Sequence, residues 1–187
     1  MSLTLAQKLI APMNPYNSLQ NYLTSQKTIA TYIILFGGLL LISAGTFYFL
    51  EIQISFYRGL FMGCLFAGIL LISIGFLYKN FSIKTFNSAE QKYNVDKAVF
   101  LKNETERMRK LLINFSTFQM ICMIMIILAI GVILSFQIPF VTGVSLAISI
   151  LFVGVMVIEA ISKSSIDHYY EELLKAHSSN FILQDLE

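Results

Sequence analysis

The chain has 187 residues, of which 56% are hydrophobic and 13% charged, with a formal net charge of +2. Soluble domains average about 25% charged residues, so a water-soluble globular domain is excluded, and so small a positive balance argues against a nucleic-acid-binding surface. The two cysteines, Cys64 and Cys122, both fall within apolar runs, which excludes a disulfide framework.

Residues 1–27 read as a cytoplasmic or interfacial lead, with a short apolar-periodic piece (Leu5, Leu9, Ile10) ended by Pro12 and Pro15. This lead lacks an apolar core of about 7 to 15 residues ahead of a small-residue cleavage site, so the first span is expected to be retained. Residues 28–78 read as a first transmembrane hairpin. Thr28–Leu50 and Gly59–Tyr78 are uncharged runs of 23 and 20 residues joined through Glu51-Ile52-Gln53, and about 20 apolar residues cross a bilayer core of about 30 Å. The first run holds twelve Leu, Ile or Phe residues, each favouring insertion by about 0.3 to 0.6 kcal/mol. Arg58, near the edge of the second run and seven residues from Glu51, is placed to snorkel to the outer face or pair with that carboxylate. Gly59, Gly63 and Ala67 form two successive small-xxx-small steps, which let helix backbones approach closely, within one chain or between copies.

Residues 79–112 read as a cytoplasmic helical segment continuous with the third span. Ten of the 26 residues in Ala89–Asn114 are charged, at about +2.5 to +3.5 kcal/mol each at a membrane helix centre, so this stretch stays in water. Ser88 supplies a helix cap, and no Gly or Pro follows until Gly131. One helix from about Ala89 through the third span is therefore expected, about 60 Å long. Leu101, Met108 and Phe115 recur every seven residues with Glu104 and Leu111 between them, a weak seam that falls short of a coiled-coil pattern. Within the run NETERMRKLLINF, Glu104 and Glu106 stand three residues before Arg107 and Arg109, and Glu106 four before Lys110. That spacing supports an exposed helix through paired charges. Arg107, Arg109 and Lys110 then meet anionic headgroups where Leu111 enters the membrane.

Residues 113–162 read as a second transmembrane hairpin. The uncharged run Leu111–Ile158 is 48 residues long, right for two crossings, and Gln137-Ile138-Pro139 provides the turn. Gly131 with Ser135, and Gly143 with Ala147, are further small-xxx-small steps. Glu159 ends the fourth span with Lys163 four residues on, the favourable order for a helix pair. Residues 163–187 read as a cytoplasmic amphipathic tail, where Ile166, Tyr170, Leu173, Leu174, His177 and Phe181 form one stripe to be covered by the 89–114 helix first, or else by the membrane surface or another copy.

Of the 13 basic residues, all but Arg58 lie before the first span, between the second and third, or after the fourth. The positive-inside bias puts both termini and the middle segment in the cytoplasm, with a bacterial inner (plasma) membrane as the expected location. The sequons at Asn80, Asn103 and Asn114 then fall on the cytoplasmic side. Met62, Cys64, Met120, Cys122, Met123 and Met125 would suit Cu(I) only if gathered together, and otherwise read as gap-filling core residues. His168 and His177 are nine residues apart, which does not place them on one helix face for zinc, and no hydrolase, phosphate-loop or dithiol motif occurs. No cofactor or catalytic residue is expected.

Glu106-Arg107-Met108-Arg109-Lys110 with Asn114 is similar to the charged entry to a span in the membrane-associated eicosanoid and glutathione enzymes, where such a motif helps bind glutathione. The resemblance covers about ten residues. It implies one span before the motif and two after the span that bears it, whereas here two spans precede it and one follows.

The chain is thus expected to be an all-α integral membrane protein of four transmembrane helices in two hairpins with cytoplasmic helical extensions. The expected role is that of an assembly, accessory or interaction subunit, its partners the bilayer, anionic headgroups, and a second copy or another membrane subunit. Two alternatives compete with it. An oligomeric channel or transporter would line its axis with Ser43, Thr46, Ser145 and Ser149, and a glutathione- or lipid-modifying enzyme would use Glu106, Arg107, Arg109 and Asn114.

Overall fold

A computed structural model describes residues 15–184, with side chains at the C-terminal end described as far as Ala176. Leu5, Leu9, Ile10 and Pro12 lie outside the described residues, as do the side chains of His177 and Phe181. Four helices make up the described chain: α1 (Pro15–Glu51), α2 (Ser55–Val95), α3 (Lys97–Ser135) and α4 (Pro139–Gln184). They contain 37, 41, 39 and 46 residues, or about 55 to 70 Å at 1.5 Å per residue. Each contains a stretch long and apolar enough to cross a membrane, and each continues well past its uncharged run.

The breaks follow local chemistry. Pro15 and Pro139 open α1 and α4, where a missing N–H costs nothing and a fixed φ suits the first turn. Thr142 closes the first turn of α4 through its N–H, which bonds to the Ile138 carbonyl at 3.0 Å. Between α2 and α3 a single residue, Asp96, leaves the helix. Its carbonyl accepts from the Phe100 N–H at 3.0 Å and its carboxylate from the Val99 N–H at 3.1 Å, so it caps α3 and places negative charge at the helix start.

Two expectations change here. The helix does not start at Ser88, which lies exposed inside α2. Once α2 leaves its apolar stretch nothing in 79–95 interrupts it, and propagation adds a hydrogen bond per residue until Asp96 offers a stronger cap. The 79–112 segment is therefore split between α2 and α3. The second change concerns the lead, whose residues from Pro15 onward belong to α1, with Ser18, Leu19, Tyr22, Leu23 and Gln26 buried.

α1 and α2 run antiparallel, since Gly37 meets Gly68 and Ile72 while Gly75 meets Ala30 and Ile34, and α4 contacts all three other helices while α2 and α3 barely touch. The closest approach joins α2 to α4. A Cβ added at Gly59 would run into the Phe140 carbonyl, one at Gly143 into the Phe56 carbonyl, and one at Gly63 would lie 2.5 Å from the Ala147 Cβ. A similar contact joins α1 to α2, where a Cβ at Gly37 would lie 3.0 Å from the Gly68 carbonyl. Ridges of small residues thus bring backbones together without large side chains between them.

Two cores are stacked along the bundle. Near the Ile52–Ile54 and Phe136–Ile138 turns, Leu40, Ala44, Leu60, Cys64, Ala67, Leu71 and Ala147 pack together. Among the described residues, α3 contributes nothing to that core. At the Asp96 end all four helices contribute, with Leu19 and Tyr22 of α1, Tyr93 of α2, Leu101 and Met108 of α3, and Ile166, Tyr169 and Leu173 of α4. The Leu101/Met108/Phe115 seam is the face α3 turns inward, and it carries Glu104 with it. On the tail, the buried stripe runs through Tyr169 instead of Tyr170, and Leu174 is 43% exposed. Between the two levels lies a belt of lysines. Lys27 and Lys79 each stand 26 residues from Gln53, and Lys110 and Lys163 stand 27 and 26 from Gln137. That is about 40 Å of helix, close to the thickness of a bilayer with its headgroups.

Gly59→Leu or Gly143→Leu should destabilise the protein by about 3 kcal/mol or more, because backbone atoms cannot move aside as side chains do. Gly131→Leu should leave stability unchanged, since a Cβ there meets nothing within 4 Å. Thermal unfolding of the detergent-purified variants measures both.

Candidate functional site

Because α3 leans on α4 and not on α2, a cleft of about 790 Å³ opens between α2, α3 and α4 at the level of the apolar stretches. Met62, Phe66 and Leu70 of α2 form one wall, and Phe115, Phe118 and Met125 of α3 the other. Toward the lysine belt the lining turns polar at Tyr78, Asn114, Glu159 and Ser162. Glu159 is only 8% exposed, its Oε2 makes no hydrogen bond, and no ion pair joins it to Lys163 among the described residues. The expected Glu159–Lys163 pair is therefore not formed. A carboxylate buried without a donor is a costly arrangement.

Just beyond the belt, the bundle interior holds a layer of polar side chains. Arg107 donates to both Glu104 oxygens, Nε to Oε2 at 2.9 Å and Nη2 to Oε1 at 2.6 Å, a two-pronged geometry that suits a planar guanidinium. Tyr22 of α1 and Tyr169 of α4 stack beside them, with ring centroids 4.7 Å apart and planes 8° from parallel. Tyr78 donates its hydroxyl to Gln26 Oε1. Burial raises the pKa of the Tyr22 and Tyr169 hydroxyls, so both stay neutral. Burial works against the Arg107 charge as well, but the Glu104 carboxylate more than offsets it and the guanidinium pKa rises. On the Asp96 side of this layer, a second cavity of about 670 Å³ lies between α2 and α3, lined in part by Lys84, Gln91, Val99, Glu104 and Arg107.

The structure disperses most of the residues singled out from the sequence. In the charged run, Glu104 and Arg107 face inward, whereas Glu106 pairs outward with Lys110 at 2.9 Å and Arg109 is exposed. Arg107 is thus engaged by Glu104, with its side chain 36% exposed. The run straddles a helix whose inner face is the seam. Glu106, Arg107, Arg109 and Asn114 consequently do not converge on one site. Gly59, Gly63, Ala67, Gly143 and Ala147 are used within the chain, between α2 and α4, whereas Gly131 and Ser135 on α3 are exposed. Arg58 is exposed near the first turn, and the Glu51 side chain lies outside those described. Lys163 is half-buried at the belt.

The hydroxyls of Ser43, Thr46 and Ser149 bond back to the carbonyls of Leu39, Ser43 and Ser145 in their own helices, and Ser145 is buried. Cys64 sits in the core while Met120 and Met123 are 60% and 54% exposed, so the sulfur groups are not gathered. The Tyr22–Tyr169 stack, the Tyr78–Gln26 bond and the cleft escaped sequence reasoning. The one signal available was that Tyr22, Tyr78, Glu104, Arg107 and Tyr169 all lie 25 to 33 residues from Gln53 or Gln137, the centres of the turns at the other end of the bundle. Compared with protein-family models, curated proteins and solved structures, the chain matches none.

Arg107→Ala should cost about 2 kcal/mol, the worth of charge-assisted hydrogen bonds lost from a partly buried pair. The double variant Glu104→Leu/Arg107→Leu should recover most of that loss, since no buried charge is then left alone. Lys110→Ala should leave the melting temperature unchanged, because its pair is exposed. Melting curves of the four proteins in one detergent test this.

Proposed function

We propose that the chain is an integral protein of a bacterial inner membrane, with both termini and the Asp96 turn in the cytoplasm, and that it acts as a non-catalytic assembly or accessory subunit. The observation that carries this reading is the second core at the Asp96 end. All four helices continue past the lysine belt and pack there around Leu101, Met108 and Tyr169, which gives a rigid helical body beyond the apolar stretches. At its tip Val95 is 87% exposed and Val99 54%, a small apolar contact surface that a partner subunit would cover. The belt of Lys27, Lys79, Lys110 and Lys163 suits anionic headgroups on the cytoplasmic leaflet, in keeping with the positive-inside bias.

A second copy is the simplest partner within the bilayer. With the small residues of α2 and α4 used internally, Gly131 and Ser135 remain the small-xxx-small step open to another helix. The channel reading gains nothing from hydroxyls that bond to their own helices, and the enzyme reading gains nothing from charged residues that face opposite sides of α3.

Labelling single cysteines with a membrane-impermeant thiol reagent tests the orientation. Gln53→Cys should react in intact cells stripped of any outer membrane and Ser88→Cys only after permeabilisation; the reverse pattern would overturn it. Val95→Asp with Val99→Asp should abolish co-purification of the partner subunit without lowering the melting temperature. Unchanged co-purification would remove the tip from the interface.

A further inference from the structure

We propose that the cleft between α2, α3 and α4 is a binding site for an amphiphile with an alkyl body and an ammonium head, the head held by Glu159. The apolar body is set by the walls, which are aromatic and aliphatic from Met62 to Phe118, and the volume of about 790 Å³ lies within the range of ligand sites. The head is set by Glu159. This side chain lines the cleft, is more than nine-tenths buried, and keeps a carboxylate oxygen without any donor.

A buried carboxylate calls for a cation or strong donor, and although Lys163 exerts an electrostatic pull on Glu159 from a distance, no group among the described residues donates to its Oε2. Lys163 forms no ion pair with it among the described residues. The other basic residues of α3 near this level are engaged or face outward, Arg107 with Glu104, Lys110 with Glu106, and Arg109 exposed. Asn114 and Ser162 flank Glu159 in the lining and add hydrogen-bonding capacity around an ammonium with its several N–H donors. An anionic head is disfavoured for the same reason, since it would meet the carboxylate directly.

The route of entry follows from the weak contact between α2 and α3. A cleft open on that side admits a ligand laterally, body first into the apolar region, with its head left at the depth of Glu159. That carboxylate is one helical turn inside Lys163, the depth at which a single-chain amine or an ethanolamine headgroup on a diacyl lipid would rest. The two are separate sources of the same chemistry. The site does not depend on which way the protein faces, and it adds to the accessory role without requiring it.

The chain contains no tryptophan, so Phe118→Trp places a single tryptophan in the cleft, excited apart from the nine tyrosines. An alkylammonium carrying a terminal bromine, titrated into the full-length Phe118→Trp protein in detergent, should quench it saturably. Adding Glu159→Gln should weaken the apparent Kd at least tenfold, and a brominated alkyl sulfate of the same length should bind at least tenfold more weakly than the ammonium compound. Equal affinity with and without Glu159→Gln, or equal affinity for the sulfate, would overturn the proposal. Loss of charge at Glu159 relieves an unpaired buried group, so that variant should fold, and its melting temperature checks this. In nanodiscs with brominated acyl chains, stronger quenching by phosphatidylethanolamine than by phosphatidylcholine identifies the headgroup as the source. Equal quenching by the two lipids, relieved by free alkylammonium, identifies the single-chain amine.

Discussion

The contact of α2 with α4 at Gly59, Gly63, Gly143 and Ala147 decides where everything else can go. Backbones that meet with no side chains between them fix two helices along a line, and a Cβ at either Gly59 or Gly143 would strike a carbonyl of the other helix. With α2 and α4 drawn together across the bundle, α1 can still pack in the angle between them, as the shared core around Leu40, Leu60 and Ala147 records. On the opposite side α3 reaches α4 but scarcely α2. A cleft at the apolar level is the geometric result. Its aromatic lining and its unpartnered carboxylate come from residues that a symmetric four-helix bundle would have packed against one another.

The Asp96 end solves the opposite problem. Water can compete for every polar group there, so cohesion needs an apolar core, and all four helices supply one. The Glu104–Arg107 pair and the Tyr22–Tyr169 stack sit where the two levels meet. The guanidinium and the carboxylate face one another, which keeps a charged pair tolerable at partial burial. The pair lies within α3, and it is the core around Leu101 and Met108 that holds this end of α3 against α1 and α4, whereas the Gly131 half of α3 has few neighbours. Held at one end and loosely packed at the other, α3 is the element best placed to respond to whatever enters the cleft or docks on its exposed face.

The four apolar stretches were legible in the sequence because hydropathy and length alone determine them, and the lysines mark where they end. The Leu101/Met108/Phe115 seam was legible for a similar reason, since a heptad recurrence survives into the inward face of α3. Other features required three dimensions. Ser88 and Asp96 are both good caps, and only the uninterrupted propagation of α2 chooses between them. The charges at Glu104 and Arg107 have the spacing of a surface pair, and the same spacing serves a buried one. Tyr169 and Tyr170 are adjacent, so a stripe drawn through either fits the helical period, and it is the Tyr22 ring that selects Tyr169. The loss of the Glu159–Lys163 pair and the opening of the cleft arise from how α3 and α4 are placed. Neither leaves a trace in residue order.

Disulfide trapping across the two interhelix gaps is the sharpest test of this arrangement. In a chain with Cys64 and Cys122 replaced by Ala and Ala147 by Gly, Gly63→Cys with Val144→Cys should cross-link α2 to α4 under mild oxidation, since a Cβ at Gly63 would lie 3.5 Å from the Val144 Cα once the Ala147 Cβ in its way is gone. Ala67→Cys with Met125→Cys, on facing walls of the cleft, should bridge only through a long bifunctional reagent. Rapid direct bridging of the second pair, with the first left reduced, would mean that α2 packs on α3 instead of α4 and that the cleft does not exist.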